Sequence, residues 1–209
     1  MSTGTIEIKK ISVDRLFDAA EFVVNQNFTR HLQTAFTTNH FELVRTVYEE
    51  EIIHYHQSSF FIAEDHFKTI IGSIRTLKWN KINQLPIEKV FGLHVVDRCD
   101  ISPESTVWHI GRFATRKGAG SIELFKQLII SGISPICEAS DSIVFAECDT
   151  KLLSTLSKMG IESEIIGEPL IYLGSETVPV RIDVKSLKTF YGRHTSPNRL
   201  LNIRNPVFG

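Results

Sequence analysis

Apolar residues in the stretch 12–25 ("SVDRLFDAAEFVVN") fall at Leu16, Phe17, Ala20, Val23 and Val24. That three-and-four spacing gives a helix one buried stripe, and Ser12 stands where an N-cap belongs. A second helix is expected over about 40–55, after the polar break "TTN", and it carries the acidic run Glu49, Glu50, Glu51. The period then shortens. Residues 58–64 ("SSFFIAE") and 68–79 ("KTIIGSIRTLKW") are rich in strand formers and joined by "DHF", which predicts an antiparallel hairpin. Beyond about 104 the pattern predicts a strand at 105–115, a helix at 121–132, a strand at 142–148 and a helix at 150–159 ended by Gly160. Two more strands, 161–173 and 177–184, flank the turn "GSE". The β-α-β unit calls for a parallel pair and the hairpins for antiparallel ones. The expected architecture is therefore α+β or α/β, a mixed central sheet flanked by helices.

Composition narrows this picture. A chain of 209 residues that is 42% hydrophobic and 22% charged is long enough for one substantial core and too apolar for disorder. A net charge of -1 and a pI near 6.7 speak against general nucleic-acid or membrane-surface binding, which need a broad basic field. Three scattered cysteines, Cys99, Cys137 and Cys148, have neither zinc-ligand nor disulfide-framework spacing, so no metal is expected and a reducing cytoplasm fits best. No leader-like or membrane-spanning apolar run is visible. The end from Val184 to Gly209 holds Lys185, Lys188, Arg193, Arg199 and Arg204 without an acid. That stretch reads either as a C-terminal helix followed by a frayed basic end or as a dock for an acidic partner, and we take residues 1–190 as a single domain and 191–209 as a basic tail.

The chemistry concentrates in "STVWHIGRFATRKGAGSIELFKQLII", residues 105–130. Its loop offers Gly118 and Gly120 for close backbone approach, Arg116 and Lys117 for charge, and Ser121 as a helix cap. Unpaired N–H groups at a helix N-terminus attract anions. The spacing matches neither the Walker nor the dinucleotide pattern, and a plain connector explains it equally well. Arg75 and Arg112 interrupt apolar strands, where a guanidinium needs a partner. Either they form a structural salt bridge to Glu50 or Glu51, or they shape a pocket for an amine or its carboxylate. Simple alternation puts His109, Gly111 and Phe113 on one strand face and Trp108, Ile110 and Arg112 on the other, unless a bulge intervenes; a glycine inside a strand such as Gly111 often marks one. Glu147 and Asp149 at the end of "FAECD" are candidates for a base or for amine recognition, and Cys148 reads as packing rather than as a nucleophile.

Taken together, Gly72-Ser73-Ile74-Arg75-Thr76-Leu77, the run Trp108 to Ala114 ("WHIGRFA") and the close "IIGEPLIYLGSETVPVRIDV" resemble the acyl-homoserine lactone (autoinducer) synthases and the related N-acyl amino acid synthases. Both are built on the acetyltransferase-like GNAT fold, and the resemblance covers about residues 20–190. It implies N-acyl transfer from an acyl-CoA or acyl-carrier-protein thioester to a small-molecule amine, with an acidic acyl carrier protein as a possible partner. Thr115, Arg116, Lys117, Gly118, Gly120 and Ser121 correspond to the pyrophosphate loop, with Thr115 at the place of the usual Arg or Gln. Gly111 and its neighbours would offer N–H groups to the thioester. Glu50 and Glu51 fall near the acidic pair that recognises a cationic substrate, and Arg75, Trp108 and Phe113 would line the substrate site. The family's motif Glu is His109 here and its motif Ser is Gly111. His109 is thus the implied base, since imidazole titrates near neutrality, with Arg112 and Glu147 as further catalytic candidates; a buried structural histidine is the alternative. The family's N-terminal arginine motif is only loosely echoed, by Arg30 and Phe36. A short-chain acetyl-CoA enzyme and a non-catalytic acyl-binding module remain the competing functions.

Overall fold

The computed structural model describes residues 6–31, 38–99, 101–102, 104–118, 121–173 and 175–195. In chain order these form β1 (Glu7–Lys10), α1 (Leu16–His31), α2 (Thr38–His54), β2 (Ser58–Glu64), β3 (Ile70–Lys78) and α3 (Pro86–Phe91). There follow β4 (Thr106–Thr115), α4 (Ile122–Glu138), β5 (Ser142–Asp149), α5 (Thr150–Lys158), β6 (Ser163–Ile165), β7 (Leu170–Tyr172), β8 (Ser175–Ile182) and α6 (Val184–Thr195). Gly120, Phe36 and residues 196–209 of the expected basic tail lie outside the described residues, and so do the side-chain contacts of Arg30.

The strands form one mixed sheet in the order β1-β2-β3-β4-β5-β8-β6, with β7 also on β8. Every pairing is antiparallel except β4 with β5. α4 supplies the crossover that a parallel pair needs. Its N-cap is Ser121, whose Oγ accepts the Leu124 N–H at 3.1 Å. One sheet face is apolar: Ile74, Trp108, Ile110, Val144, Ala146, Cys148, Val180 and Ile182 pack with Leu128, Ile129 and Ile133 of α4 and Leu187 and Phe190 of α6. The other face lies under α1 and α2. There Leu16, Ala19 and Val23 cover Phe60, Ile62 and Ala114, and further along Ile87 and Leu93 cover Leu77, Val107 and Phe145. On β5 this second face takes Phe145, Glu147 and Asp149, because alternate residues share a side.

The hairpin, the parallel pair and the end of α5 at Gly160 (φ +80°) match the sequence pattern. Three boundaries differ. The first helix begins with a 3-10 turn at Val13–Arg15 and runs on to His31. α4 continues through Pro135 to Glu138, because Ile133 and Ile136 keep its apolar stripe buried. The expected strand 161–173 is two short strands separated at Gly167 to Pro169, where the loop lies so close to β8 that a Cβ on Gly167 would sit 3.0 Å from Pro179. No helix among the described residues is long and apolar enough to cross a membrane.

Candidate active site

The site begins with an irregularity in β4. Arg75 pairs with Gly111 and Ser73 with Ala114, so one residue of β3 faces two of β4. This is a bulge at Arg112 and Phe113, and Arg112 takes a left-handed backbone, φ +55°. Such a conformation costs a non-glycine residue about 1–2 kcal/mol; the buried Ser73 Oγ donating to the Arg112 carbonyl at 2.7 Å helps hold it. The extra residue resets the alternation. Arg112 joins His109 and Gly111 under the helices, and Phe113 crosses to the α4 face, its ring centroid 4.7 Å from that of Phe125. Simple alternation had these two residues the other way round.

Below the bulge lies a continuous buried network. Arg112 Nε donates to Glu51 Oε1 at 2.8 Å, its Nη2 to Glu50 Oε2, and its Nη1 to the Tyr172 hydroxyl at 3.3 Å. Glu51 Oε2 lies 3.3 Å from Arg75 Nε, an ion contact without hydrogen-bond alignment. Arg75 Nη1 meets His109 Nδ1 at 3.0 Å, and His109 Nε2 meets Glu147 Oε2. A guanidinium only donates, so Nδ1 must accept; the imidazole proton then sits on Nε2, donated to Glu147. His109 and Arg75 are wholly buried. Burial pushes the Glu147 carboxyl up, but His109, Arg75 and Arg112 outweigh it and hold the group below the ordinary carboxylate value. Burial likewise pushes Glu51 up, and Arg75 and Arg112 overcome it.

Gly111 gives the His109 to Glu147 contact room. A Cβ there would lie 3.1 Å from Glu147 Oε1, 3.3 Å from Arg75 Nη2 and 3.3 Å from His109 Cε1. A Cβ would press on all three side-chain ends, which would have to give by a few tenths of an ångström.

β4 and β5 pair only as far as Ile110 and Ala146, and beyond that point they part. Three adjoining cavities occupy the opening. A polar one of about 70 Å³ is lined by Asn27, Arg112, Glu147, Asp149, Tyr172, Ser175 and Thr177. An apolar one of about 30 Å³ runs between the strands and α4 and α5, past Gly111, Phe113, Ile129, Ile133, Cys148, Leu152 and Leu156. An open groove of about 570 Å³ is bordered by Thr115, Arg116, Lys117, Gly118, Phe125 and Lys151. Phe113 and Leu152 border all three, and Glu147 borders the first two.

The structure thus brings together Arg75, His109, Gly111, Arg112, Glu147, Glu50 and Glu51. It sets Thr115, Arg116, Lys117 and Gly118 along the groove, while Ser121 caps α4. Trp108 lines none of these cavities. It packs in the α4-side core with its indole N–H on Ser142 Oγ at 3.1 Å, because it lies where β4 and β5 are still paired. Glu50 and Glu51 also border none of the three, being engaged with the arginines. Cys148 is buried, and burial followed by the charges of Glu147 and Asp149 pushes its thiol far up, which suits packing rather than nucleophilic attack. Sequence reasoning missed Tyr172, Asn27 and Thr177; an isolated tyrosine in "LIYLG" carried no signal that it would reach Arg112.

Comparison with solved structures fixes the fold. The chain is similar to FeeM, an N-acyl amino acid synthase from uncultured soil microbes, at 12% identity and a TM-score of 0.63, over 90% of this chain and 95% of that one. It is similar to BjaI, a CoA-dependent acyl-homoserine lactone synthase, at 17% identity and a TM-score of 0.61, over 92% and 91%. It is also similar to FdhC, a nucleotide-linked sugar GNAT, at 13% identity and a TM-score of 0.51, over 96% and 94%. No family model and no curated protein sequence matches the chain. At these identities the likeness is one of fold: a GNAT-like α+β architecture of the kind found in the autoinducer and N-acyl amino acid synthases.

Proposed function

We propose that the protein is an N-acyltransferase that moves an acyl group from a phosphopantetheine thioester, on CoA or on an acyl carrier protein, to the amine of an amino acid or related small molecule. The observation that carries this reading is the Glu147 carboxylate. It is held by His109, which Arg75 backs in turn, and the residue borders both a polar cavity and an apolar one. Glu147 accepts the proton as the neutral amine attacks, because the acidity of the nitrogen rises steeply as its bond to the carbonyl forms, and gives it to the pantetheine sulfur as the C–S bond breaks. His109 orients that carboxylate through Nε2–H, in place of acting on the amine directly. The backbone of β4 past Ile110 has lost its β5 partner, so N–H groups beside the bulge are available to the oxyanion of the tetrahedral intermediate. The acyl chain enters the apolar cavity, and the pantetheine phosphate lies in the groove by Arg116, Lys117 and Lys151. An acidic carrier protein would dock on the same cations.

The test is incubation of purified protein with CoA and carrier-protein thioesters of several lengths and an amine panel, following thiol release and product mass. Glu147→Gln should lower kcat about 10²–10⁴-fold at little cost in KM for the thioester. Thiol release from no donor with any amine would leave the non-catalytic acyl-binding module. The small volume of the apolar cavity favours one second reading, a short-chain acetyl-CoA enzyme; a donor preference for two carbons over longer chains would select it.

A further inference from the structure

Two acidic residues of α2 were the expected contacts for a cationic acceptor, and the fold engages both elsewhere. Glu50 and Glu51 are paired with Arg112 and Arg75, two carboxylates against two guanidiniums. Two other carboxylates reach the polar cavity. Glu147 and Asp149 stand two residues apart on β5 and so project from the same face. Glu147 is held only through Oε2, by His109; its side chain is 9% exposed, and Oε1 has no protein partner among the described residues. Asp149 uses Oδ1 to accept the Leu152 N–H at 2.6 Å, capping α5, and Oδ2 makes no ion pair or hydrogen bond there. Both residues line the polar cavity, where their free oxygens are open to solvent and a ligand's N–H donors can take the place of water.

We propose that Glu147 and Asp149 form the subsite for the acceptor's ammonium group, and that Asp149 is a specificity-determining residue selecting a small cationic amine over neutral or anionic analogues. An ammonium carries three N–H donors. Glu147 Oε1 and Asp149 Oδ2 take two, and the Thr177 hydroxyl, which donates to the Ser175 carbonyl at 3.2 Å and lies 3.3 Å from the Ser175 hydroxyl, has a remaining lone pair for the third. Thr177 pairs with Asp149 across β8 and β5, so it stands on the same face. The cavity's guanidinium, Arg112, is already balanced by Glu50 and Glu51, which leaves the lining with an excess of negative charge. As an acceptor subsite the inference rests on the acyl-transfer reading, in which the bound ammonium first loses one proton to solvent and Glu147 takes the second as the amine attacks; as an ammonium site it is testable without it.

The experiment is titration of n-butylamine hydrochloride into the full chain without thioester, followed by two-dimensional NMR, with n-butanol and sodium butyrate as matched neutral and anionic probes. Saturable shifts at Asp149, Thr177 and Tyr172 are expected with the amine and not with the other two. Asp149→Asn should weaken amine binding about tenfold, in line with loss of one charge-assisted contact. The fold should survive, because the Asn amide oxygen still caps α5. In turnover the same variant should raise KM for the amine with kcat changed far less. Equal binding of butylamine and butanol, or an Asp149→Asn variant that binds the amine as tightly as the wild type, would overturn the proposal even if acyl transfer proceeds. Selective amine binding with no transfer from any thioester would uphold the ammonium site and remove the acyltransferase.

Discussion

Replacing Glu51 with glutamine keeps the shape of the side chain and removes the charge on which Arg75 and Arg112 both depend. The side chains of Glu51, Arg75 and Arg112 are 1%, 0% and 2% exposed, so solvent screens none of them. At 2.8 and 3.3 Å, Coulomb attraction in an effective dielectric near 20 amounts to about 5–6 kcal/mol per arginine. Releasing the desolvation cost of Glu51 offsets part of that, and the net loss on breaking a buried pair is about 3–5 kcal/mol. For a chain of this size that lowers Tm by roughly 6–20 °C. Urea unfolding and calorimetry measure both, with Glu50→Gln, which serves one arginine, as a milder reference. The pH dependence adds a second check. The Glu51 carboxyl is depressed in the folded state, so its contribution is present above its unfolded value and lost as pH falls through the folded one. The gap between wild type and Glu51→Gln should therefore shrink as pH falls below 4.5, the ordinary carboxyl value. Glu64 and Glu147 are also depressed, but both proteins share them and they cancel. A loss under about 1 kcal/mol, within the usual range for surface substitutions and weak contacts, or a gap independent of pH, would refute the reasoning.

Three further outcomes are expected. Gly111→Ala crowds Glu147, Arg75 and His109 at 3.1–3.3 Å; it should cost about 1–3 kcal/mol in stability by overpacking and lower kcat more than it changes KM. Charge reversal at Arg116 and Lys117 should slow transfer from a carrier-protein thioester, and added salt should slow the wild type in the same way; indifference to both would exclude carrier docking there. The Cys137 thiol is pushed up to about 11 by burial and the Cys148 thiol further still, so in the native state neither should react appreciably with a disulfide reagent at pH 8, where roughly one Cys137 in a thousand is thiolate.

The hairpin of β2 and β3 and the β4-α4-β5 unit were legible in the sequence because each rests on local signals: strand formers in alternation, a serine cap, a glycine stop. The His109 to Glu147 contact was not. The two residues lie 38 apart, and their meeting depends on the register of a parallel pair and is eased by the missing Cβ of Gly111, neither of which periodicity reports. The split between β6 and β7 falls at Gly167 to Pro169, a Gly and Pro break that the sequence does carry; that both pieces pair with β8 was not legible. Arg75, Arg112 and the acids of α2 could be named as partners from composition alone, because buried guanidiniums demand carboxylates. Which acids would remain for a ligand required the geometry.

The bulge at Arg112 also governs how this chain can be compared with distant ones. Up to Gly111 the side chains of β4 keep one phase, and after it they keep the opposite phase. An alignment that scores apolar periodicity across the whole strand gains most by sliding one half over by a residue, which sets Phe113 against arginines and Arg112 against core positions. At identities of 12–17% such a slip is easily accepted. The reliable landmark for placing a gap is the step between Gly111 and Arg112: loss of either residue would remove the bulge and return the strand to plain alternation, with Phe113 still on the α4 side.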